Sequence, residues 1–210
     1  MPSKRSVGAL AAGASATTTG IATELAILIV GIGGQGVQLV GKTLALAATN
    51  EGKHAMLAAD YGGEMRGGPS NASVVVGSAP LRSLPVLPVA DAAIVANHKF
   101  AGVVPPRLRH GSLLLVNSSI VDPAEAGDAY RVVAVASTQI AADLGAPQAG
   151  GFVLLGAFNA LTSLVERDSL VEAMTSLLPP YRRQHAPKNA EALDAGSAAV
   201  ADQVLTGTAP

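Results

Sequence analysis

Cysteine is absent from the 210-residue chain. Disulfides, thiol catalysis, thiolate-bound zinc and iron–sulfur ligation by this chain are therefore excluded. Tryptophan is absent too, and Phe and Tyr contribute three residues each, so a core has to come from small and branched side chains. Charge is also sparse: Asp, Glu, Lys and Arg make up 14% of the residues and the net charge is −1. No broad basic surface is left for a nucleic acid or an anionic membrane, so neither is expected as a partner. The four histidines (His54, His98, His110, His185) show no i,i+3 or i,i+4 spacing, and no metal site is expected. No run escapes charge, Pro or Gly long enough to cross a bilayer, and we expect a cytoplasmic protein. Any redox centre used by such a protein belongs to another chain.

What is present is apolar. Hydrophobic residues reach 49% and the mean hydropathy is +0.39, the opposite balance to a disordered chain. Residues 1–23 stand apart. Lys4-Arg5 precedes an Ala-rich stretch with Ala14-Ser15-Ala16 as an outline of a cleavage site. Its apolar run lacks Leu, Ile or Phe in series, so we read 1–23 as a disordered leader, 24–205 as a single α/β domain and 206–210 as a tail.

From Leu25 to Val30 every residue is apolar and most are branched, which reads as a strand buried on both faces. Gly31-Ile-Gly-Gly-Gln-Gly36 follows. Val37, Val40, Leu44, Ala47 and Ala48 then recur at helical spacing until Asn50-Glu-Gly52. Further strands are expected at 55–59, 72–76, 92–96, 112–116 and 131–135, the first of them closing a βαβ unit. From Ser137 the chain reads as helical, with Phe152, Leu155, Phe158 and Leu161 on one face, and further helices over 169–178 and 190–205. That face belongs to the core or to a subunit interface. The fold class is a Rossmann-like α/β domain: an open, mostly parallel sheet flanked by helices, with a helical C-terminal part.

Two loops carry the chemistry. Gly31, Gly33 and Gly36 satisfy G-x-G-x-x-G directly after a buried strand and opening a helix. Glycine permits positive φ and close approach of a phosphate, and the helix start offers free N–H groups. The same turn also packs a helix tightly on a sheet without any ligand. The acidic residue of a dinucleotide site is Asp60 if any, and it ends its strand later than the about 20 residues the fingerprint asks for. The second loop, Tyr61-Gly-Gly-Glu-Met-Arg-Gly-Gly68, carries a phenol, an acid, a guanidinium and paired glycines at a strand's carboxyl end. Arg66 can grip a carboxylate or phosphate at two points, and Gly67-Gly68 lets backbone amides approach an anion. An Arg66–Glu64 pair that only shapes the loop is the competing reading.

Gly31-Ile-Gly-Gly-Gln-Gly-Val37 and Tyr61-Gly-Gly-Glu-Met-Arg-Gly-Gly68, in this order, resemble the GxGGQGV and YGPExRGG motifs of the gamma subunit or gamma domain of 2-oxoacid:ferredoxin oxidoreductases, the pyruvate/ketoisovalerate oxidoreductase type. Gly63 stands where the family has proline. Pro85-Val86, Pro88-Val-Ala-Asp91, Leu154-Leu-Gly-Ala157, Asn189-Ala-Glu-Ala192 and Gly196 extend the resemblance from about Leu25 to Val204, although Gly150-Gly151 stand near a usual Asn.

The resemblance implies a subunit of a complex that uses thiamine diphosphate, Mg2+, iron–sulfur clusters and coenzyme A to turn a 2-oxoacid into CO2 and an acyl-CoA. Alpha, beta and delta-type subunits would hold the thiamine and the clusters, with ferredoxin or an NAD-reducing subunit as acceptor. This chain would bind no cofactor alone and be inactive alone. Tyr61, Glu64 and Arg66 would face the composite active site. Gly31, Gly33, Gly34, Gln35, Gly36, Gly67 and Gly68 would meet a phosphate-bearing group such as coenzyme A, or a partner's loop. Two other readings are a stand-alone NAD-binding oxidoreductase and a non-catalytic binding module. The first lacks an evident Ser/Tyr/Lys or His/Asp set: Tyr130 has no Lys in the positions just after it.

Overall fold

The computed structural model describes residues 24–61, 68–82, 84–126 and 128–205. Each apolar run expected to be extended is a strand: β1 (Glu24–Ile32), β2 (His54–Tyr61), β3 (Pro69–Gly77), β4 (Ala90–Val95), β5 (Leu108–Asn117) and β6 (Arg131–Val135). They form one six-stranded sheet in the order β2-β3-β1-β4-β5-β6. β1, β4, β5 and β6 are parallel neighbours, whereas β3 is antiparallel to both β1 and β2. Every strand but β3 therefore points the same way.

The βαβ expectation is met in direction and not in adjacency. β1 and β2 run parallel, but β3 lies between them. The reason is in the side chains. β3 offers Ala72, Val74, Val75 and Val76, buried on both faces, whereas β2 has exposed His54, Ala59 and Asp60. The more apolar strand takes the inner place, where both faces are covered, and the Ala-rich one takes the edge.

The α-helices are α1 (Val37–Asn50), α2 (Ser137–Asp143), α3 (Gly150–Thr162), α4 (Arg167–Leu177), α5 (Ala186–Ala198) and α6 (Ala201–Leu205). The expected helix over 190–205 is thus two, interrupted at 199–200. The helices share a core with Ile27, Ile29, Val74, Val76, Ile94, Leu115 and Val133 from one face of the sheet. Into it α3 sends Phe152, Val153, Leu154, Leu155, Ala157 and Phe158, all buried, so its apolar face is core and the helix is buried nearly all round. α3 and α5 touch backbone to backbone. A Cβ on Gly156 would sit well under 3.0 Å from the Leu193 carbonyl oxygen, and one on Gly196 equally close to that of Val153.

The other face of the sheet packs Leu28, Val30, Val75, Ala93, Val95, Leu114 and Val116 under Leu87, Val104, Leu108 and Val121, with no α-helix in that cluster. Short 3-10 turns and the proline-rich connection cover it instead. Among the described residues, no helix is long and apolar enough to cross a membrane.

Candidate functional site

The site lies at the carboxyl ends of the parallel strands. From β1 the chain turns one way, through α1 towards β2; from β4 it turns the other way, towards β5. Open α/β sheets bind ligands in the crevice at such a reversal. Here that crevice separates the first glycine turn from Ala96.

Each glycine of the turn has its own reason. A Cβ on Gly31 would meet Val37 Cγ2 at 2.7 Å and Gln35 Oε1 at 2.9 Å, so only glycine leaves room for the helix start. Gly34 (φ 100°) and Gly36 (φ 74°) are the positive-φ positions, with Gly36 as the left-handed residue just before α1. Gln35 folds back across the turn: its Oε1 accepts from the Ile32 N–H (3.1 Å) and its Nε2 donates to the Ala96 carbonyl (3.2 Å). The Gln thus staples the turn to the end of β4. Asn117, 2% exposed, continues the staple, donating to Ala96 O (3.2 Å) and Thr138 Oγ1 (2.9 Å).

The two glycine motifs meet. The Gly33 N–H donates to the Gly68 carbonyl at 3.0 Å. Gln38, in the first turn of α1, donates through Nε2 to Asp60 O (3.4 Å), Ser70 Oγ (3.3 Å) and Asn71 O (2.7 Å). Both stems of the second loop are therefore tied to the helix that follows the first turn. Tyr61 is the last residue of β2 and Gly68 precedes β3. Gly63, Glu64, Arg66 and Gly67 lie outside the described residues.

Beside the turn is a cavity of about 220 Å³, lined by Gly34 and Gln35, by Ala96 and Asn117 at strand ends, and by Ser137, Thr138, Gln148, Gly150 and Gly151. The starts of α1 and α3 converge on it. Neither has a side-chain cap nor an acid in its first turn, so their free N–H groups and positive dipole ends are left uncompensated. Gly151 allows the approach: a Cβ there would meet Gln35 O at 2.9 Å. Ser137, 1% exposed, contributes to the lining as well. The donor set suits an anion.

The expected residues Gly31, Gly33, Gly34, Gln35, Gly36 and Gly68 thus come together. Asn117, Ser137, Thr138 and Gly150-Gly151 were not anticipated as part of the site. For Asn117, Ser137 and Thr138 the signal was small polar residues at or just after the ends of apolar strands. Asp60 is exposed at the far side of β3, two strand spacings or roughly 10 Å from β1, a poor place from which to hold a ribose at the turn. Among the described residues no group of three or more His, Cys, Asp or Glu could hold a metal ion.

Fold and crevice define an α/β domain built to present two linked glycine loops and a donor-lined cavity at one end of its sheet. The chain belongs to the pyruvate ferredoxin/flavodoxin oxidoreductase family, whose model matches residues 26–199. It is 33% identical over 138 residues to ketoisovalerate oxidoreductase subunit VorA of Methanothermobacter thermautotrophicus, which is 66% of this chain and 28% of VorA. The chain so spans little more than a quarter of that relative. The gamma subunit of a keto/oxoacid ferredoxin oxidoreductase from Geobacter sulfurreducens superposes with a TM-score of 0.70 at 26% identity, covering 86% of this chain and 98% of that one. The 2-oxoglutarate:ferredoxin oxidoreductase of Magnetococcus marinus, solved with 2-oxoglutarate, coenzyme A and succinyl-CoA, shares the fold with a TM-score of 0.76 at 20% identity, over 85% of this chain and 31% of that one.

Proposed function

We propose that this chain is the gamma subunit of a multi-subunit 2-oxoacid oxidoreductase, and that it seats the phosphate end of coenzyme A beside an active site completed by other subunits. The reaction is the oxidative decarboxylation of a 2-oxoacid to an acyl-CoA, with electrons leaving through partner subunits to ferredoxin or NAD. Thiamine diphosphate with Mg2+, held by alpha- and beta-type chains, supplies the decarboxylation chemistry, and iron–sulfur clusters in beta- or delta-type chains carry the electrons. Family membership and the coenzyme A bound in the Magnetococcus relative support this reading. The Gly33–Gly68 hydrogen bond carries it, because it ties the stem of the second loop to the first glycine turn, which borders the cavity.

The residues present fit a phosphate group. Two uncapped helix starts and the Ser137 hydroxyl supply donors, and Gly34 presents backbone without a side chain. The cavity is smaller than the about 300–1,000 Å³ of pockets that enclose a whole drug-sized ligand, so it suits one end of coenzyme A and leaves the thiol arm outside. On this reading Arg66 would add a guanidinium to the anion's surroundings, and Tyr61 and Glu64 would face the reacting centre.

The test is anaerobic purification of the complex from its native cells with Arg66→Lys and Ser137→Ala introduced separately. If both residues bind coenzyme A, each change raises the coenzyme A KM, by about tenfold for the loss of a hydrogen bond to a charged group, with assembly unchanged. If Arg66 only locks an interface, Arg66→Lys lowers the yield of complex and leaves the kinetics alone. A chain that purifies alone, colourless and binding NAD, overturns the subunit reading altogether.

A further inference from the structure

β2 ends the sheet. Among the described residues it pairs only with β3, so the N–H and C=O groups along its outer side have no strand to bond. Natural edges are usually blunted by charge, proline or brevity. β6 at the opposite end is five residues long. β2 has eight residues, and Ala55-Met-Leu-Ala-Ala59 within it holds neither charge nor proline. Met56 is 40% exposed there.

We propose that this edge docks on the same edge of a second copy of the chain, β2 against β2 across a two-fold axis, to make one continuous twelve-stranded sheet. The strand's own pattern selects the partner. In an antiparallel pair, residues whose N–H and C=O face the partner must lie opposite residues of the same kind, so even positions meet even and odd meet odd. Among registers that obey this, the one centred on Leu57 overlaps nearly the whole strand. It sets Leu57 against the partner's Leu57, Met56 against the partner's Ala58, and His54 against the partner's Asp60. The large side chain meets the small one, and the imidazole meets the carboxylate, each twice by symmetry. A shift by two positions loses both matches.

The faces agree as well. Ala55 and Leu57 pack under the helix-side core, and Leu57 Cδ1 lies 3.1 Å from where a Gly41 Cβ would be. His54, Met56 and Asp60 share the other face, where they are exposed and free to meet the copy. The two second loops would leave the dyad at opposite ends, so each copy keeps its own crevice. The inference is independent of the reaction proposed above.

The full chain, measured by light scattering over a range of concentrations, is expected to be a reversible dimer in which β2 amides gain protection from hydrogen exchange as concentration rises. His54→Asp places like charges opposite each other and Asp60→Lys removes the acid. Each acts twice per dimer and is expected to weaken it about tenfold. The double variant exchanges the signs and restores the wild-type dimer. Both side chains are exposed, and unchanged circular dichroism spectra at low concentration confirm that the variants fold. A monomer at every concentration overturns the proposal, as does a dimer indifferent to the single changes or a double variant no better than His54→Asp. Dimerisation that appears only when residues 1–23 are deleted also overturns it, since that segment would then occupy the edge itself.

Discussion

On one face of the sheet, α1, α3, α4 and α5 bury Phe152, Leu155, Phe158, Leu170, Met174 and Leu193 against β-strand side chains, with α3 and α5 in backbone contact at Gly156 and Gly196. On the other, 3-10 turns and a proline-rich connection lie over Leu28, Val30 and Val95, while Leu84 (71% exposed) and Val86 (77% exposed) project from that connection. Both faces are apolar at the sheet, yet among the described residues only one is covered by regular helices. The difference separates two tasks. The helix-covered face fixes the strand ends and helix starts that make the crevice, and needs close packing to do so. The other face needs only to keep water from the sheet.

The contrast breaks first at the helix crossing. Gly156→Ala or Gly196→Ala drives a methyl group into a carbonyl oxygen, so the helices must separate. We expect a loss of more than about 4 kcal/mol, seen as a thermal transition at least about 10 °C lower or as failure to fold. A shift of a degree or two would mean that the helix face is as loosely packed as the other. Next comes Phe158→Ala, which empties the centre of the helix-side core. The expected cost is about 3–5 kcal/mol by urea unfolding.

A smaller effect is expected where α1 meets the link between α3 and α4. Glu51 accepts from Lys53 Nζ (2.8 Å) and from the Glu166 N–H (2.6 Å), and Lys53 also donates to Leu164 O. Burial pushes the Glu51 carboxyl up, but the Lys53 ammonium, the Glu166 N–H and the Ser169 hydroxyl outweigh it, so its pKa lies below the ordinary value. A carboxylate with a lowered folded pKa contributes stability above the ordinary carboxylate range, and that contribution is lost as pH falls through the folded value. Glu51→Gln should therefore cost about 1–2 kcal/mol at neutral pH, with the difference from wild type shrinking on acidification. An unchanging difference would assign the cost to packing.

The smallest effects belong to the other face. Leu84→Ser and Val86→Ser should change the stability of the isolated chain by no more than about 0.5 kcal/mol in the same urea assay. A loss of the size seen for Phe158→Ala would show that the connection is part of a packed core and erase the contrast.

Much of this was legible. Each of the six strands follows from a short apolar run, and the helical stretch containing α3 from the spacing of Phe152, Leu155 and Phe158, because burial and periodicity are local properties of sequence. The first glycine turn was legible too, and its conformation narrows the roles: Gly34 and Gly36 take positive φ, and Gly31 makes room. The place of β3 was not. Strand direction depends on the hairpin formed with β2, and its rank in the sheet on competition for two covered faces. Asn117 and Ser137 escaped for a similar reason: each follows a different strand, and only the pairing of β4, β5 and β6 brings them beside Gln35.

By itself, then, the sequence determined the class of fold, the exclusion of cysteine chemistry from this chain and the two motifs that mark its family, since composition and short-range spacing suffice for these. Tertiary structure alone decided that the motifs touch through Gly33 and Gly68, that a donor-lined cavity opens beside them and that β2 is left at the edge. Those are contacts between segments far apart in the chain, set by which strand gains most from burial.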